Sequence, residues 1–224
     1  MNEAMALIPA FSHVNWRLAD ALRRARMPCM HVHGCSDLVR ARSRLLCDGL
    51  KTRADVFLFI DADIVASPEQ LLELAQSSLV DEDNSVSGCY LSRPGHLAGI
   101  PSDPDASIVI GGEKRYVQAL VAGMGFAAVH RASIERIQVS EPVVRDFAGD
   151  QWTPFFLPFI LQHEQPNGNP IKEYVSEDYA FWWRLKMAGK TQLWLDTHLA
   201  VGHIKENILL PAGEISAPAE RAEG

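Results

Sequence analysis

The most regular feature of the chain is the apolar run Val56-Phe57-Leu58-Phe59-Ile60, which stops at Asp61 and is followed by Asp63 two positions on. An unbroken apolar stretch of this kind, rich in β-branched and aromatic residues, predicts a strand buried on both faces of a parallel sheet. Ser67-Pro68-Glu69-Gln70 then carries the signals of a helix start: a serine N-cap, proline at the first helical position, and glutamine placed to complete a capping box. That helix is predicted over Pro68 to Leu79. Two strand–helix units precede it. Met5 to Ile8 is apolar and stops at Pro9, and Asn15 opens an amphipathic helix to about Arg26, with Leu18, Ala21, Leu22 and Ala25 at helical spacing. Met30 to His33 is a second strand, stopped by Gly34, and Ser36 is placed to cap a helix whose inner side is Leu38, Val39, Leu45, Leu46 and Leu50. Val86 to Tyr90 is a fourth strand. This alternation predicts an α/β fold with a parallel sheet and right-handed crossovers.

The pattern changes after Arg93. Pro94 to Pro104 holds three prolines and two glycines and predicts a loop. Ser107 to Ile110 and Arg115 to Val121 flank Gly111-Gly112 as the arms of a hairpin would. Gly125 to Val129 is another apolar strand, Ala132 to Ile137 a short helix, and Val143 to Phe147 an antiparallel strand. Gln151 to Pro170 shows no period. Glu177 to Ala188 predicts a helix ended by Gly189, and Gln192 to Leu195 a last core strand closed by Asp196. The small, polar and charged residues from Pro211 onward predict a disordered or loosely docked tail, so one domain is expected over residues 1–210.

Composition narrows the function classes. With 224 residues there is room for one α/β domain with a substantial core, or two small ones. A net charge of −7 gives a nucleic-acid partner no global electrostatic support. No apolar run approaches the roughly 18 residues of a membrane span, and the N-terminus lacks a basic-then-apolar leader. The expectation is a cytosolic protein, with peripheral membrane contact left open. Cys29, Cys35, Cys47 and Cys89 form no CxxC pair and are expected to be buried thiols in a reducing compartment.

Chemistry is concentrated in a few places. Asp61 and Asp63 sit where ligands bind in open α/β sheets, outside the carboxyl end of a strand. Acids there often cap or turn, but Ser67 already supplies the cap, which leaves both free to hold a hard divalent cation and, through it, a diphosphate. Glu177 and Asp178 open an aromatic helix. Helix-dipole capping explains either one singly, while the pair places two acids beside a dry core. His203 follows Asp196 by seven positions and could complete an aspartate metal site, although a lone histidine is more often structural. Arg40, Arg42 and Arg44 read most simply as a solvated helix face, with Arg42 able to turn inward toward a phosphate. Gly123 and Gly125 enter a strand, which suggests a bend or a close backbone approach to a ligand.

Taken in order, these segments resemble a nucleotide-sugar glycosyltransferase of the GT-A fold, similar to small family-2-like bacterial enzymes. Leu7 to Phe11 resembles the first strand and nucleotide loop, Leu38 to Ser43 the second-helix segment whose arginine faces the donor, and Phe57 to Asp63 the strand with its DXD motif. Gly123 to Phe126 with Val129 to Arg131 resembles the strand bordering donor sugar and acceptor. Ser176-Glu177-Asp178 with Trp183, Arg184 and Gly189 resembles the ED helix, and Asp196 and His203 the closing strand and metal histidine. The resemblance covers about residues 5 to 205. Two departures stand out: the usual asparagine after the arginine is Ser43, and the QXXRW motif of processive synthases is absent.

The resemblance implies a mainly parallel Rossmann-like sheet with a smaller acceptor-side portion, residues 1–93 serving the nucleotide and 94–210 the acceptor. It implies a UDP- or GDP-sugar donor, a hydroxyl-bearing acceptor such as a saccharide, and non-processive transfer. Pro9, Phe11, Arg42, Asp61, Ala62 and Gly125 would face the donor. Asp61, Asp63 and His203 would bind Mn²⁺ or Mg²⁺, and Asp178, flanked by Glu177, would be the acceptor's base in an inverting reaction. One rival enzyme class fits the same residues. Asp61-Ala62-Asp63-Ile64-Val65 matches the DxDx[TV] motif of aspartate-nucleophile phosphatases, but that motif belongs on a first strand and expects a later lysine and acidic motif. A non-enzymatic sugar-binding domain is the third reading.

Overall fold

The computed structural model describes residues 4–77, 80–147, 149–164, 169–204, 208–209 and 214–215. The first part of the chain forms β1 (Ala4–Pro9), α1 (Trp16–Ala25), β2 (Cys29–Val32), α2 (Leu38–Gly49), β3 (Val56–Ile60), β4 (Ile64–Val65), α3 (Pro68–Ala75) and β5 (Asn84–Cys89). Then come β6 (Leu91–Arg93), β7 (His96–Leu97), β8 (Gly99–Pro101), β9 (Ile108–Val109), β10 (Tyr116–Ala122), β11 (Phe126–His130) and α4 (Arg131–Ser140). The remainder is β12 (Val144–Arg145), β13 (Gln151–Trp152), β14 (Phe159–Glu164), β15 (Pro170–Val175), α5 (Glu177–Gly189), β16 (Gln192–Ala200), β17 (Gly202–Ile204), β18 (Ile208–Leu209) and β19 (Glu214–Ile215).

Local signals set the first units. β3 is buried at all five positions. Ser67 and Gln70 close the capping box of α3 in both directions. That helix ends at Ala75, where Gln76 and Ser77 turn the chain; the expected end, Leu79, lies outside the described residues. The cap of α2 is Asp37 rather than Ser36, its carboxylate accepting from the Arg40 N–H. Ala41, Arg42, Ser43, Leu45 and Leu46 form the inner face of α2, while Leu38, in the first turn, is exposed at the mouth of a cleft.

Eight strands form one mixed sheet in the order β2-β1-β3-β11-β5-β16-β10-β8. β2, β1 and β3 are parallel, as are β5 and β16. β11 runs antiparallel between β3 and β5, and β10 antiparallel between β16 and β8. The expectation of a mainly parallel sheet is therefore corrected. The strand–helix alternation reports the order of elements, not which neighbours a later apolar strand will choose. Helices cover both faces. Phe57 and Phe59 of β3 point toward Leu45, Leu46, Ile134, Ile137, Phe181 and Leu185 of α2, α4 and α5. Val56, Leu58 and Ile60 point toward Leu18, Leu22, Leu71 and Leu74 of α1 and α3.

Other expectations fail where pairing is non-local. The 94–104 stretch contains β7, which pairs with β6 just before it in a small hairpin, and then β8, which joins the main sheet. β9 and β10 do not form a hairpin: β9 pairs with β19, and β10 with β16 and β8. β19 also places residues 214–215 of the expected tail in a strand pair, the rest of 211–224 lying outside the described residues. The stretch without a period holds β13 and most of the β14–β15 hairpin, whose mostly exposed side chains write no burial pattern. Of the cysteines only Cys89 is buried; Cys29 is exposed and Cys35 and Cys47 are half-buried. Among the described residues no helix is long and apolar enough to cross a membrane.

Candidate active site at the carboxyl end of the third strand

Asp61-Ala62-Asp63 leaves the buried end of β3, and three elements pin it. Asn15 does most of this. Its side-chain N–H groups donate to the carbonyls of Ala62 at 2.9 Å and Ile64 at 2.7 Å, while its Oδ1 accepts from Leu18 N–H and caps α1. On another side the Asp61 N–H donates to Gly125 O at 3.0 Å. On the third, β17 pairs with β4, setting His203 opposite Ile64, and the Ile204 N–H donates to Asp63 O at 2.9 Å.

This pairing brings His203 Nε2 to 3.1 Å from Asp63 Oδ2, across 140 positions of sequence. His203 Nδ1 lies 2.8 Å from Leu91 O. A carbonyl only accepts, so Nδ1 carries a proton and Nε2 is the nitrogen turned toward the carboxylate. In a neutral ring that nitrogen presents a lone pair to a negative group, an arrangement that calls for a proton or a cation between them. The ring is 6% exposed and meets Tyr90 edge-on at 5.5 Å.

Arg42 lies on the inner face of α2 and is 2% exposed, so the solvated-face reading does not hold for it. Its NH2 donates to Asp61 Oδ1 at 2.8 Å and its NH1 to Asp178 Oδ1, with the guanidinium 5.8 Å from the centre of the Phe156 ring. Burial pulls the Arg42 pKa down, but the Asp61 and Asp178 carboxylates outweigh it and hold the group above its ordinary value, fully charged. Arg40 and Arg44 instead pair with Asp146, at 2.5 and 2.7 Å. Asp178 Oδ2 accepts from the Met124 N–H at 3.0 Å. Burial pushes the Asp178 carboxyl above the usual aspartate range; Arg42 opposes this and Asp61 adds to it. Glu177 sits half-buried beside it in the first turn of α5.

Gly123 and Gly125 allow close packing. A Cβ on Gly125 would stand 2.8 Å from the Tyr90 hydroxyl and 2.9 Å from Asp61 Oδ2, and one on Gly123 2.1 Å from the same hydroxyl. Gly125 N–H donates to that hydroxyl at 2.9 Å, and burial pushes the Tyr90 phenol well above its ordinary range.

A cleft of about 680 Å³ opens beside this edge, lined by Pro9, Phe11, Asn15, Asp61, Ala62 and Asp63 among others. Pro9, Phe11, Asp61, Ala62 and Asp63 thus share one cavity, whose lining includes none of Arg42, Gly125, Asp178 and His203. Asp196 is elsewhere: it is fully buried within β16, not at its end, and is held by Arg115 at 2.8 Å. Among the described residues no three His, Cys, Asp or Glu side chains converge as a metal-binding group. Asp63 and His203 therefore offer a two-donor set, one oxygen and one nitrogen. Asn15 as the clamp of this turn and Tyr90 as its packing partner were not singled out in the sequence. Asn15 signalled only a helix start, and nothing marked Tyr90.

No protein-family model matches the chain, and no curated protein matches it. Among solved structures it is similar to A197 from STIV, with a TM-score of 0.58 and 16% identity over 100% of both chains. It is also similar to GalNAc-T7, crystallised with UDP, GalNAc and Mn²⁺, with a TM-score of 0.49 and 10% identity over 91% of this chain and 44% of that one. A nucleotidyl transferase from Methanothermobacter thermautotroptrophicus gives a TM-score of 0.36 and 12% identity over 89% of each chain. The likeness to A197 is one of fold, a mixed α/β architecture shared over the whole length.

Proposed function

We propose that the chain is a metal-dependent glycosyltransferase of GT-A type, moving a sugar from a UDP- or GDP-sugar to a hydroxyl acceptor without processive polymerisation. The observation that carries this reading is the Asp63–His203 pair. A carboxylate that lines a cleft large enough for a nucleotide faces, on its inner side, a buried imidazole whose other nitrogen is tied to Leu91 O. One oxygen and one nitrogen donor fit Mn²⁺ better than Mg²⁺, which prefers an all-oxygen shell. The cation held there would supply positive charge against the diphosphate as that group leaves.

The chain's own residues would do the rest. Pro9, Phe11 and Ala62 give the cleft an apolar wall for base and ribose, and the Asp61–Arg42 pair fixes the turn behind it. Asp178 would take the proton of the acceptor hydroxyl as its oxygen bonds to the anomeric carbon and the bond from that carbon to the diphosphate breaks with its electron pair. A carboxyl raised by burial is closer to the operating pH and so a better base, and hydrogen bonds from Arg42 and Met124 fix its orientation. Glu177 flanks it. The phosphatase reading is less well supported, because Asp61, its nucleophile, is bound at Oδ1 by a buried guanidinium.

A thermal-shift screen of UDP, GDP and their sugars, with and without Mn²⁺, tests the proposal. The expected result is a nucleotide shift that requires Mn²⁺ and is lost in Asp63→Ala. A Mn²⁺-dependent shift that survives in Asp63→Ala overturns the assignment, and hydrolysis of an aryl phosphate without any nucleotide shift favours the phosphatase.

A further inference from the structure

The sequence Cys29-Met30-His31-Val32-His33-Gly34-Cys35 lies on and just after β2, the edge strand of the main sheet. Along a strand, alternate side chains share a face. Met30 and Val32 pack against the core, while Cys29, His31 and His33 are exposed. The two imidazoles are not splayed apart. Their ring centres are 4.6 Å apart and their planes meet at 65°.

We propose that His31 and His33 chelate a late first-row divalent ion, Zn²⁺, Ni²⁺ or Cu²⁺, on this edge, at a site separate from the Asp63–His203 pair. Imidazole suits these ions, whereas Mg²⁺ and Mn²⁺ favour oxygen. The spacing fits a chelate. A metal–nitrogen bond of about 2.1 Å puts the ion about 3.2 Å from each ring centre, so two rings have centres about 4.5 Å apart at the right angle of a square-planar shell and about 5.2 Å apart at a tetrahedral angle. The observed separation is 4.6 Å. No third His, Cys, Asp or Glu converges with the pair among the described residues, so the protein supplies two ligands and solvent or an outside donor completes the shell.

Isothermal titration of the full chain with ZnCl₂ tests this, run in an Asp63→Ala background so that the donor-side pair does not compete. The background protein is expected to take up Zn²⁺, and His31→Ala and His33→Ala are each expected to weaken it by at least about tenfold, the lower bound for disturbing even an outer-shell partner. Both side chains are exposed, so unchanged melting curves show that the variants remain folded. Cys29→Ser is expected to bind like its parent. The proposal is overturned if the parent takes up no Zn²⁺, if the two histidine variants titrate like it, or if Cys29→Ser loses as much affinity as they do. None of these results depends on transferase activity.

Discussion

Arg42→Met removes the charge that joins the end of β3 to the start of α5 while keeping most of the side chain's length. In the parent, one guanidinium that is 2% exposed serves two carboxylates whose side chains are 27% and 20% exposed. Removing one partner of a buried ion pair costs about 3–5 kcal/mol, because the charge left behind is uncompensated. The partial exposure of both aspartates favours the lower end, about 3 kcal/mol. For a chain of this size that corresponds to a drop in Tm of about 6–12 °C.

The loss should depend on pH. Burial already holds the Asp178 carboxyl above its ordinary value, with Arg42 pulling it down. The folded protein thus keeps this proton to a higher pH than the unfolded chain does. The stability linked to that proton is present below the unfolded value of about 3.9 and lost as pH rises through the folded value. Without Arg42 the folded value climbs further, so the penalty of Arg42→Met should be smaller in mild acid and full near neutrality. Urea denaturation at about pH 5 and about pH 7.5 measures both effects. Adding Asp178→Asn to Arg42→Met should recover at least about 0.5 kcal/mol relative to additivity. A neutral-pH penalty under about 1 kcal/mol, or one that does not change with pH, would refute the claim that Arg42 holds these carboxylates together.

Three further outcomes follow from the same site. Asp178→Asn should slow transfer about 10²- to 10⁴-fold while donor and Mn²⁺ affinity stay near parental; parental turnover would remove it as the base. Asn15→Ala should cost about 1–2 kcal/mol in denaturant, since it loses a cap and two hydrogen bonds to the Asp61–Ile64 turn, and should weaken the nucleotide shift; an intact shift would mean the turn holds without it. Gly125→Ala should cost about 1–3 kcal/mol by forcing apart the Tyr90 hydroxyl and Asp61, and a melting curve equal to the parent's would contradict that packing.

What was legible in the sequence was local. The five apolar residues of β3 and the Ser67–Gln70 box each act within a few positions, so pattern alone finds them, whereas α5 runs through Gly189 and is capped by Lys190 in the left-handed region. Pairing partners are set across the fold. Nothing near Gly125 says that β11 will run between β3 and β5, and nothing near Gly111 says that β10 will prefer β16 to β9. Arg42 illustrates the same limit at the site. Between Arg40 and Arg44 it looks like one more surface charge, and only carboxylates 19 and 136 positions away turn it inward. Asp61 and Asp63 follow the end of β3, because a buried strand must end somewhere polar. Asp196 does not close its strand, which continues to Ala200 with the acid paired inside it.

The pairing of β17 with β4 also fixes an order of events during synthesis. A ribosome adds about 5–20 residues per second, so His203 emerges about 7 to 28 s after Asp63, which it trails by 140 positions. Through that interval β3 and its turn can be complete while the imidazole does not yet exist. The nascent chain therefore carries the Asp63 carboxylate without the His203 imidazole, and any ligand that needs both groups is refused until the strand of residues 202–204 has docked. The two halves of the pair can meet only once the chain has been made past residue 203, so capacity to load comes late in synthesis and works as a timer on it.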